Sequence, residues 1–164
     1  MTGPASGNAG GEWQVRTDGA ARGNPGPAGI GVVLIGPDGT VVDELARGIG
    51  WKTNNAAEYE ALIAALELAH GHGAERLAVF SDSTLMVEQM RGNWKVKHEG
   101  LKPLHAAARA RARRFAQIRY EAVRRERNKR ADELANLGVD RDNPDARPPG
   151  RPAGTPAKGP EPLF

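Results

Sequence analysis

The chain has 164 residues but no cysteine and no long apolar run. Without cysteine, both disulfide bonds and thiolate zinc sites are excluded. No apolar stretch approaches the length of a membrane span, and the glycine-rich N-terminus lacks the apolar core of a secretory signal. We therefore expect a cytoplasmic protein that does not associate with membranes. A single domain of this length can bury a sizeable core without covalent cross-links.

The net charge of +3 indicates little by itself, but the basic residues are unevenly distributed. From Arg109 to Arg130 nearly every charged residue is basic, with Glu121 and Glu126 as the exceptions. A basic surface beside an acidic pocket suits a polyanionic partner such as nucleic acid. A solvated helix face explains any single arginine here equally well.

Glycine and proline divide the chain into one domain and two tails. Residues 1–11 are small and polar, and residues 140–164 contain most of the prolines. Both segments are predicted to be disordered because they lack the apolar residues of a core. The domain is therefore expected to span residues 12–139.

Hydrophobic patterns between the tails predict five strands and four helices. The predicted strands are residues 13–17, 30–35, 41–48, 76–81 and 117–123, and the predicted helices are residues 55–70, 83–90, 100–115 and 128–137. Residues 19–29 are predicted to form a turn, and Gly138 to end the last helix. Short links predict antiparallel pairing of the first three strands. The helix before the fourth strand predicts that this strand is added in parallel through a right-handed crossover. We expect an α/β fold with a mixed five-stranded sheet flanked by helices.

Four carboxylates occupy distinctive places in this pattern. Asp18 and Asp82 directly follow apolar strands, whereas Glu58 and Asp132 lie near the starts of predicted helices. Ligand sites of open α/β sheets form at the carboxyl ends of strands. Asp18 and Asp82 would therefore adjoin if the first and fourth strands are neighbours. Clustered acidic oxygens suit hard divalent cations such as Mg²⁺ or Mn²⁺.

Each acid taken alone also has an ordinary structural interpretation. Asp18 before Gly19 fits a turn, and Asp82 fits the N-cap of the helix that follows it. Glu58 and Asp132 fit residues that complement a helix dipole. The order and spacing of all four acids together favour a common site.

The segments around these acids resemble ribonuclease H, type 1. The matching segments are Thr17-Asp18-Gly19-Ala20, Gly23-Asn24-Pro25-Gly26-Pro27-Ala28-Gly29, Thr53-Asn54-Asn55 with Glu58, Ser81-Asp82-Ser83 and Asn128-Lys129-Arg130-Ala131-Asp132. The resemblance covers roughly residues 13–139. It implies a ribonuclease H-like sheet with three antiparallel strands followed by parallel ones. It also implies an endonuclease that hydrolyses the RNA strand of RNA–DNA hybrids to 5′-phosphate and 3′-hydroxyl ends.

The same resemblance implies a two-metal site. Its catalytic and metal-binding residues would be Asp18, Glu58, Asp82 and Asp132, with two Mg²⁺ or Mn²⁺ ions per site. Asp18 would bridge the ions, Glu58 and Asp82 would complete the shell of one, and Asp132 that of the other. The implied partner is an RNA–DNA hybrid duplex. We expect no obligate protein partner and a monomeric chain.

The resemblance further implies a set of substrate contacts. Asn24, Asn54 and Asn55 match positions near the minor groove of the hybrid, and Thr53 with Asn24 matches positions that hold a phosphate of the DNA strand. The remaining residues assigned to substrate binding are Thr84, Trp94, Lys95 and Arg125. The structural alternatives are helix capping by Asn54 and Asn55, and surface packing by Trp94.

Two features depart from the pattern of the family. The loop before Asp132, residues 123–128, contains no histidine, and this resembles an archaeal-like branch of the family. Arg125 lies in that loop, but a guanidinium stays protonated in proteins and cannot act as a general base. Residues 91–102 are too few for the basic protrusion that some members use to grip the hybrid. The alternative function is a catalytically weak module of the same fold that binds hybrids or double-stranded RNA.

Overall fold

The computed structural model describes residues 11–142, so nearly all of both predicted tails lies outside the described residues. One five-stranded sheet carries helices on both faces. The strands are β1 (Glu12–Ala21), β2 (Gly26–Ile35), β3 (Val41–Lys52), β4 (Arg76–Ser81) and β5 (Gln117–Ala122), and the helices are α1 (Asn54–Gly71), α2 (Thr84–Arg91), α3 (Lys102–Ala112) and α4 (Lys129–Asp142). Within residues 11–142, no helix is both long and apolar enough to cross a membrane.

The strand order is β3-β2-β1-β4-β5, which places β1 at the centre of the sheet. β2 pairs antiparallel with both β1 and β3, whereas β4 pairs in parallel with β1 and β5. The predicted mixed sheet is therefore confirmed, with its antiparallel first half and its parallel crossover. The carboxyl end of β4 consequently lies beside the middle of β1.

The main core lies between the sheet and α1. Ile30, Val32 and Leu34 alternate along β2, are almost fully buried, and belong to the same apolar cluster as Leu62 and Leu66 of α1. Alternate residues of a strand face the same side of a sheet, so this face of β2 is the one that α1 covers. Burial of each such side chain contributes roughly 1.5–3 kcal/mol.

Helix α4 packs on the opposite face of the sheet, close enough for its backbone to contact the backbones of the strands. A Cβ atom at Gly31 of β2 would overlap the carbonyl oxygen of Ala131, and one at Gly138 would overlap the backbone of Arg47. These glycines let α4 rest directly on the strands. The prediction that Gly138 ends the last helix is wrong, because the helix continues to Asp142 and Gly138 provides close packing instead.

The glycine-rich stretch after Asp18 is mostly strand. The predicted turn over residues 19–29 is wrong at both ends, because β1 continues to Ala21 and β2 begins at Gly26. Helix α1 packs directly against β1 at Gly19. A Cβ there would overlap the backbone of Ala57, so this position of the strand requires glycine. The real turn is residues 22–25, in which the Asn24–Pro25 peptide bond is cis.

Two other elements also differ in length from their predictions. β3 continues four residues beyond the predicted end and reaches Lys52, so the strand leads directly into the start of α1. The helix predicted over residues 100–115 is divided into a short 3₁₀ turn, Glu99–Leu101, and the shorter helix α3. Leu101 is buried at the junction, which explains why it fits the apolar stripe of the predicted helix.

We expect Gly31→Ala to lower the free energy of unfolding by about 1–3 kcal/mol, the usual cost of an overpacked site. The added Cβ would push α4 away from β2. Gly71→Ala is the control, because no atom of residues 11–142 would lie within 4 Å of a Cβ there and alanine favours a helix more than glycine does. Denaturant unfolding compares the variants. A Gly31→Ala protein as stable as the parent would contradict the close contact between α4 and the sheet.

Candidate active site

Three carboxylates from three different elements meet at one end of the sheet. Asp18 lies on β1, Glu58 on α1, and Asp82 directly after β4. One oxygen atom from each lies within 4.8 Å of the other two. The parallel ladder between β1 and β4 ends at Thr17 and Ser81, so the next residue on each strand is an acid. Asp18 and Asp82 therefore adjoin, as expected for neighbouring strands.

The cluster has the chemistry of a divalent cation site. Asp18 is fully buried and Glu58 is nearly so, and carboxylates held this close repel one another in a poorly solvated place. A divalent cation offsets both the repulsion and the loss of solvation. Carboxylate oxygens are the ligands that hard ions such as Mg²⁺ and Mn²⁺ prefer. The three residues therefore fit a metal site of this kind.

Glu58 is held in place by a contact between α1 and β1. The Gly19 N–H donates to Glu58 Oε1 at 3.0 Å. This bond is possible because Gly19 has no side chain to separate the strand from the backbone of Ala57. The first turn of α1 contains no acid, so the helix-dipole interpretation of Glu58 is wrong.

The alternative interpretations of Asp18 and Asp82 are also wrong. Asp18 lies within β1 and not in a turn. The N-cap of α2 is Ser83, whose Oγ accepts from the Met86 N–H at 3.2 Å. Asp82 Oδ2 is buried and accepts no hydrogen bond from the described part of the chain, although Arg125 Nε lies 3.9 Å away.

Asp132, the fourth predicted acid, lies in the first turn of α4 and is 9% exposed. The start of this helix is tied to β1, because Asn128 Nδ2 donates to the Thr17 carbonyl at 2.8 Å. The Asp132 N–H in turn donates to the Asn128 carbonyl at 3.1 Å. The start of α4 is thus attached to β1 at Thr17, the residue before Asp18. Asp132 itself is not a member of the cluster of three.

Thr53 caps the N-terminus of α1. Its Oγ1 accepts from the Ala56 N–H at 3.1 Å, which makes Thr53 the N-cap. The alternative in which Asn54 and Asn55 cap this helix is therefore wrong. Both asparagines are instead buried in its first turn.

Asn54 connects the start of α1 to the turn between β1 and β2. Its Oδ1 accepts from the Ala21 N–H at 3.0 Å, and its own N–H donates to Asn24 Oδ1 at 2.9 Å. Asn54 is fully buried, whereas Asn24 is exposed. The structure therefore brings together the predicted substrate residues of the turn and of the helix start.

The other residues assigned to substrate binding lie at the surface near α2 and α4. Thr84 is exposed at the first position of α2. Trp94, 49% exposed, and its exposed neighbour Lys95 follow the end of that helix. Arg125 lies in a short 3₁₀ turn before α4, and its side chain is 61% exposed. These side chains are accessible to a large ligand.

Comparison with known proteins identifies the family. The profile of the family described as Reverse transcriptase-like matches residues 16–138. Ribonuclease HI of Halobacterium salinarum is 43% identical over 131 residues, which cover 80% of this chain and 66% of that protein. The crystal structure of RNase H1 from this archaeon matches with a TM-score of 0.78 and 42% identity, covering 80% of this chain and 99% of that one. The chain belongs to the ribonuclease H type 1 family.

Two further relatives of this ribonuclease H domain are informative. The bifunctional protein Rv2228c of Mycobacterium tuberculosis is 51% identical over 127 residues, 77% of this chain, and this chain spans only 35% of its length. Its N-terminal RNase H domain matches with a TM-score of 0.76 at 50% identity, over 79% of this chain and 99% of that one. LC11-RNase H1, solved in complex with an RNA/DNA hybrid, matches with a TM-score of 0.76 at 43% identity, over 79% and 98% of the two chains. The predicted ribonuclease H-like fold is confirmed.

Sequence reasoning missed a buried polar group that fixes the turn between β1 and β2 of this ribonuclease H domain. Arg22 Nη1 forms an ion pair with Asp140 Oδ1 at 2.6 Å, with side chains 14% and 3% exposed. Arg22 Nη2 lies 3.3 Å from both the carbonyl oxygen and Oδ1 of Asn136. The signal was a pair of polar residues four positions apart, on one face of a helix. A helix end placed at Gly138 concealed it by assigning Asp140 to the tail.

We expect Asp140→Leu to lower the free energy of unfolding by about 3–5 kcal/mol, because it leaves the Arg22 guanidinium buried without its carboxylate. The double variant Arg22→Met/Asp140→Leu should recover much of this loss, since it removes both charges. Denaturant unfolding of the three proteins measures both effects. A double variant no more stable than Asp140→Leu would show that the unpaired arginine is not the cause.

Proposed function

We propose that this ribonuclease H domain hydrolyses the RNA strand of RNA–DNA hybrids in a reaction that requires Mg²⁺ or Mn²⁺, leaving 5′-phosphate and 3′-hydroxyl ends. The observation that carries the proposal is the cluster of Asp18, Glu58 and Asp82, whose oxygens lie within 4.8 Å of one another. The hybrid held by the related LC11-RNase H1 supports the substrate class.

The proposed metal ligands are the three clustered acids, with Asp132 supplied from α4 for a second ion. Divalent ions at such a site activate water and stabilise the leaving oxygen of an in-line displacement. Asp18 would be the most central of these ligands, because it is fully buried and lies on the central strand. Glu58 is kept beside it by the Gly19 N–H.

The proposed substrate contacts follow from which side chains are exposed. Asn24 is accessible at the turn and fits a contact to the minor groove, where the 2′-hydroxyl distinguishes RNA from DNA. Asn54 is fully buried, so it contributes by holding Asn24 and β1. Thr53 directly precedes Asn54 and fits a contact to a phosphate of the DNA strand. Asn55, 6% exposed, lies in the same turn of α1.

A second group of proposed contacts lies after β4. Thr84 and Lys95 are exposed polar groups, and Trp94 offers an aromatic face. Aromatic faces stack on bases and lysines neutralise phosphates. Arg125, in the turn before α4, places its Nε 3.9 Å from Asp82 Oδ2. Together these residues would hold the duplex across the carboxylates.

We expect Asp18→Asn and Asp82→Asn each to reduce hybrid cleavage by several orders of magnitude, as is usual when one member of a coupled catalytic unit is removed. Each change keeps the size of the side chain and removes one charge from the cluster. Asp38→Asn is the matched control, because Asp38 lies exposed in the turn between β2 and β3. Time courses with a labelled hybrid measure the rates.

Binding measured in parallel separates loss of chemistry from loss of substrate. Asp18→Asn should still bind the hybrid, because the proposed phosphate and minor-groove contacts are intact. Rapid cleavage by Asp18→Asn, or by the parent protein in excess chelator, would contradict a metal-dependent site. A parent protein that binds hybrids or double-stranded RNA but cleaves neither with any divalent ion would instead be a binding module.

We expect Arg125→Ala to slow multiple-turnover cleavage more than single-turnover cleavage. Arg125 Nε lies 3.9 Å from Asp82 Oδ2, so its charge is placed to assist departure of the phosphate product. Arg124→Ala is the control, because the Arg124 side chain is 85% exposed and its ion pair is with Glu126. Equal slowing of both reactions by Arg125→Ala would assign the residue to binding or to the chemical step.

A further inference from the structure

A buried hydrogen-bond network joins α1, α2 and the segment that follows α2. The Tyr59 hydroxyl donates to Gln89 Oε1 at 2.6 Å. Gln89 Nε2 donates to the carbonyl oxygen of Lys95 at 3.3 Å. Tyr59 is 1% and Gln89 5% exposed, so water hardly competes for these bonds and each is costly to leave unmade.

Both ends of the network adjoin residues of the proposed site. Tyr59 directly follows Glu58 on α1, and Gln89 belongs to the helix that begins two residues after Asp82. At the other end, Lys95 follows the half-exposed Trp94. The network therefore connects α1, which carries Glu58, and α2, which begins just after Asp82, with an exposed aromatic and basic pair.

Residues 93–98, here called the α2–α3 segment, contain neither helix nor strand. At one end, the N–H groups of Asn93 and Trp94 donate to the Glu88 carbonyl at 3.0 and 3.2 Å. At the other end, the His98 carbonyl accepts from the N–H of the buried Leu101 at 3.0 Å. A segment without regular structure depends on a few such anchors. Gln89 supplies one at its middle, through the carbonyl oxygen of Lys95.

A groove of about 630 Å³ lies between α2 and this segment. Gln89 lines it together with Trp94, Lys95 and Lys97. An aromatic ring beside two lysines is a combination that stacks on bases and attracts phosphates. The conformation of the α2–α3 segment therefore decides how these groups face a nucleic acid.

We propose that Gln89, held by Tyr59, is a positioning residue that fixes the main chain of Lys95 and so presents Trp94 and Lys95 to the bound nucleic acid. The inference rests on the proposed function and adds two buried residues that act through others. A glutamine suits this place because one amide accepts from Tyr59 and donates to Lys95 at once. Leucine has neither group.

The surroundings of Tyr59 support a fixed role. The His105 ring of α3 meets the Tyr59 ring edge-on with 6.1 Å between centroids. His105 Nε2 also lies 3.3 Å from the Gln89 carbonyl oxygen. Residues of α1, α2 and α3 therefore meet at the hydrogen bond between Tyr59 and Gln89.

The chain offers a matched set of variants. Tyr59→Phe removes one hydroxyl and keeps the ring, and Gln89→Leu removes both functions of the amide. The control is Tyr120→Phe, since Tyr120 is the other tyrosine of the chain and is also buried. Both tyrosines are therefore almost fully buried, but Tyr120 makes none of the side-chain hydrogen bonds of the network described above.

We expect Tyr59→Phe and Gln89→Leu each to raise the KM for an RNA–DNA hybrid by roughly 5-fold, the size of effect of one lost hydrogen bond. The kcat should stay close to that of the parent, because the carboxylates are untouched. Tyr120→Phe should change neither constant. If Gln89→Leu fails to fold, Tyr59→Phe decides the question.

A second readout does not depend on cleavage. Trp13 is buried, whereas Trp51 and Trp94 are exposed, so in a Trp51→Phe background acrylamide quenching reports mainly on Trp94. With chelator present, hybrid should protect Trp94 from acrylamide. This protection should weaken when Tyr59→Phe or Gln89→Leu is added, and it should persist with Tyr120→Phe.

The outcomes separate the network from the proposed function. Unchanged KM and unchanged Trp94 protection in Tyr59→Phe would make the network merely structural and overturn the inference. A lower kcat at constant KM would overturn it too, because the effect would then lie at the carboxylates. Absence of cleavage by the parent protein contradicts the proposed function, whereas Trp94 protection in chelator still tests the network.

Discussion

The structure depends on the direct contact of helix backbones with the two central strands. Gly19 lets α1 lie on β1 and Gly31 lets α4 lie on β2, and a side chain at either position would overlap the helix. Without this contact the Gly19 N–H would not reach Glu58 Oε1. The convergence of acids from separate elements is therefore a result of backbone packing, and it needs no unusual loop. This packing restricts a few positions of the chain to glycine.

Close packing also explains why polar groups surround the acids. Strand β1 passes through the site in a region that α1 and α4 cover from both sides, so water is largely excluded and backbone groups need protein partners. Asn54 Oδ1 accepts from Ala21, and Asn128 Nδ2 donates to Thr17. These two amides hold β1 on either side of Asp18. They stabilise the strand that carries the most buried carboxylate.

The sequence predicts those features that depend on local pattern. Hydrophobic periodicity identifies all five strands and the four helices, and the acids after β1 and β4 mark the site because a parallel crossover brings those strand ends together. It does not predict that β1 continues through Gly19, because that depends on α1, nor that α4 passes Gly138, because that depends on β3. The Arg22–Asp140 pair and the Tyr59–Gln89 bond join residues far apart in the chain. A local pattern shows at most that Asn136 and Asp140 share one face of a helix; it does not identify the distant residue that either of them contacts.

The Arg22–Asp140 pair has a consequence for the order in which the domain matures. The two residues are separated by 118 positions, so a growing chain contains the arginine long before its carboxylate. A buried guanidinium without its partner is strongly unfavourable. The ion pair that holds Arg22 in the turn can therefore form only after α4 has been synthesised. Asp132 lies on the same helix, so the turn acquires its last contact and the set of four acids its last member from the same C-terminal element.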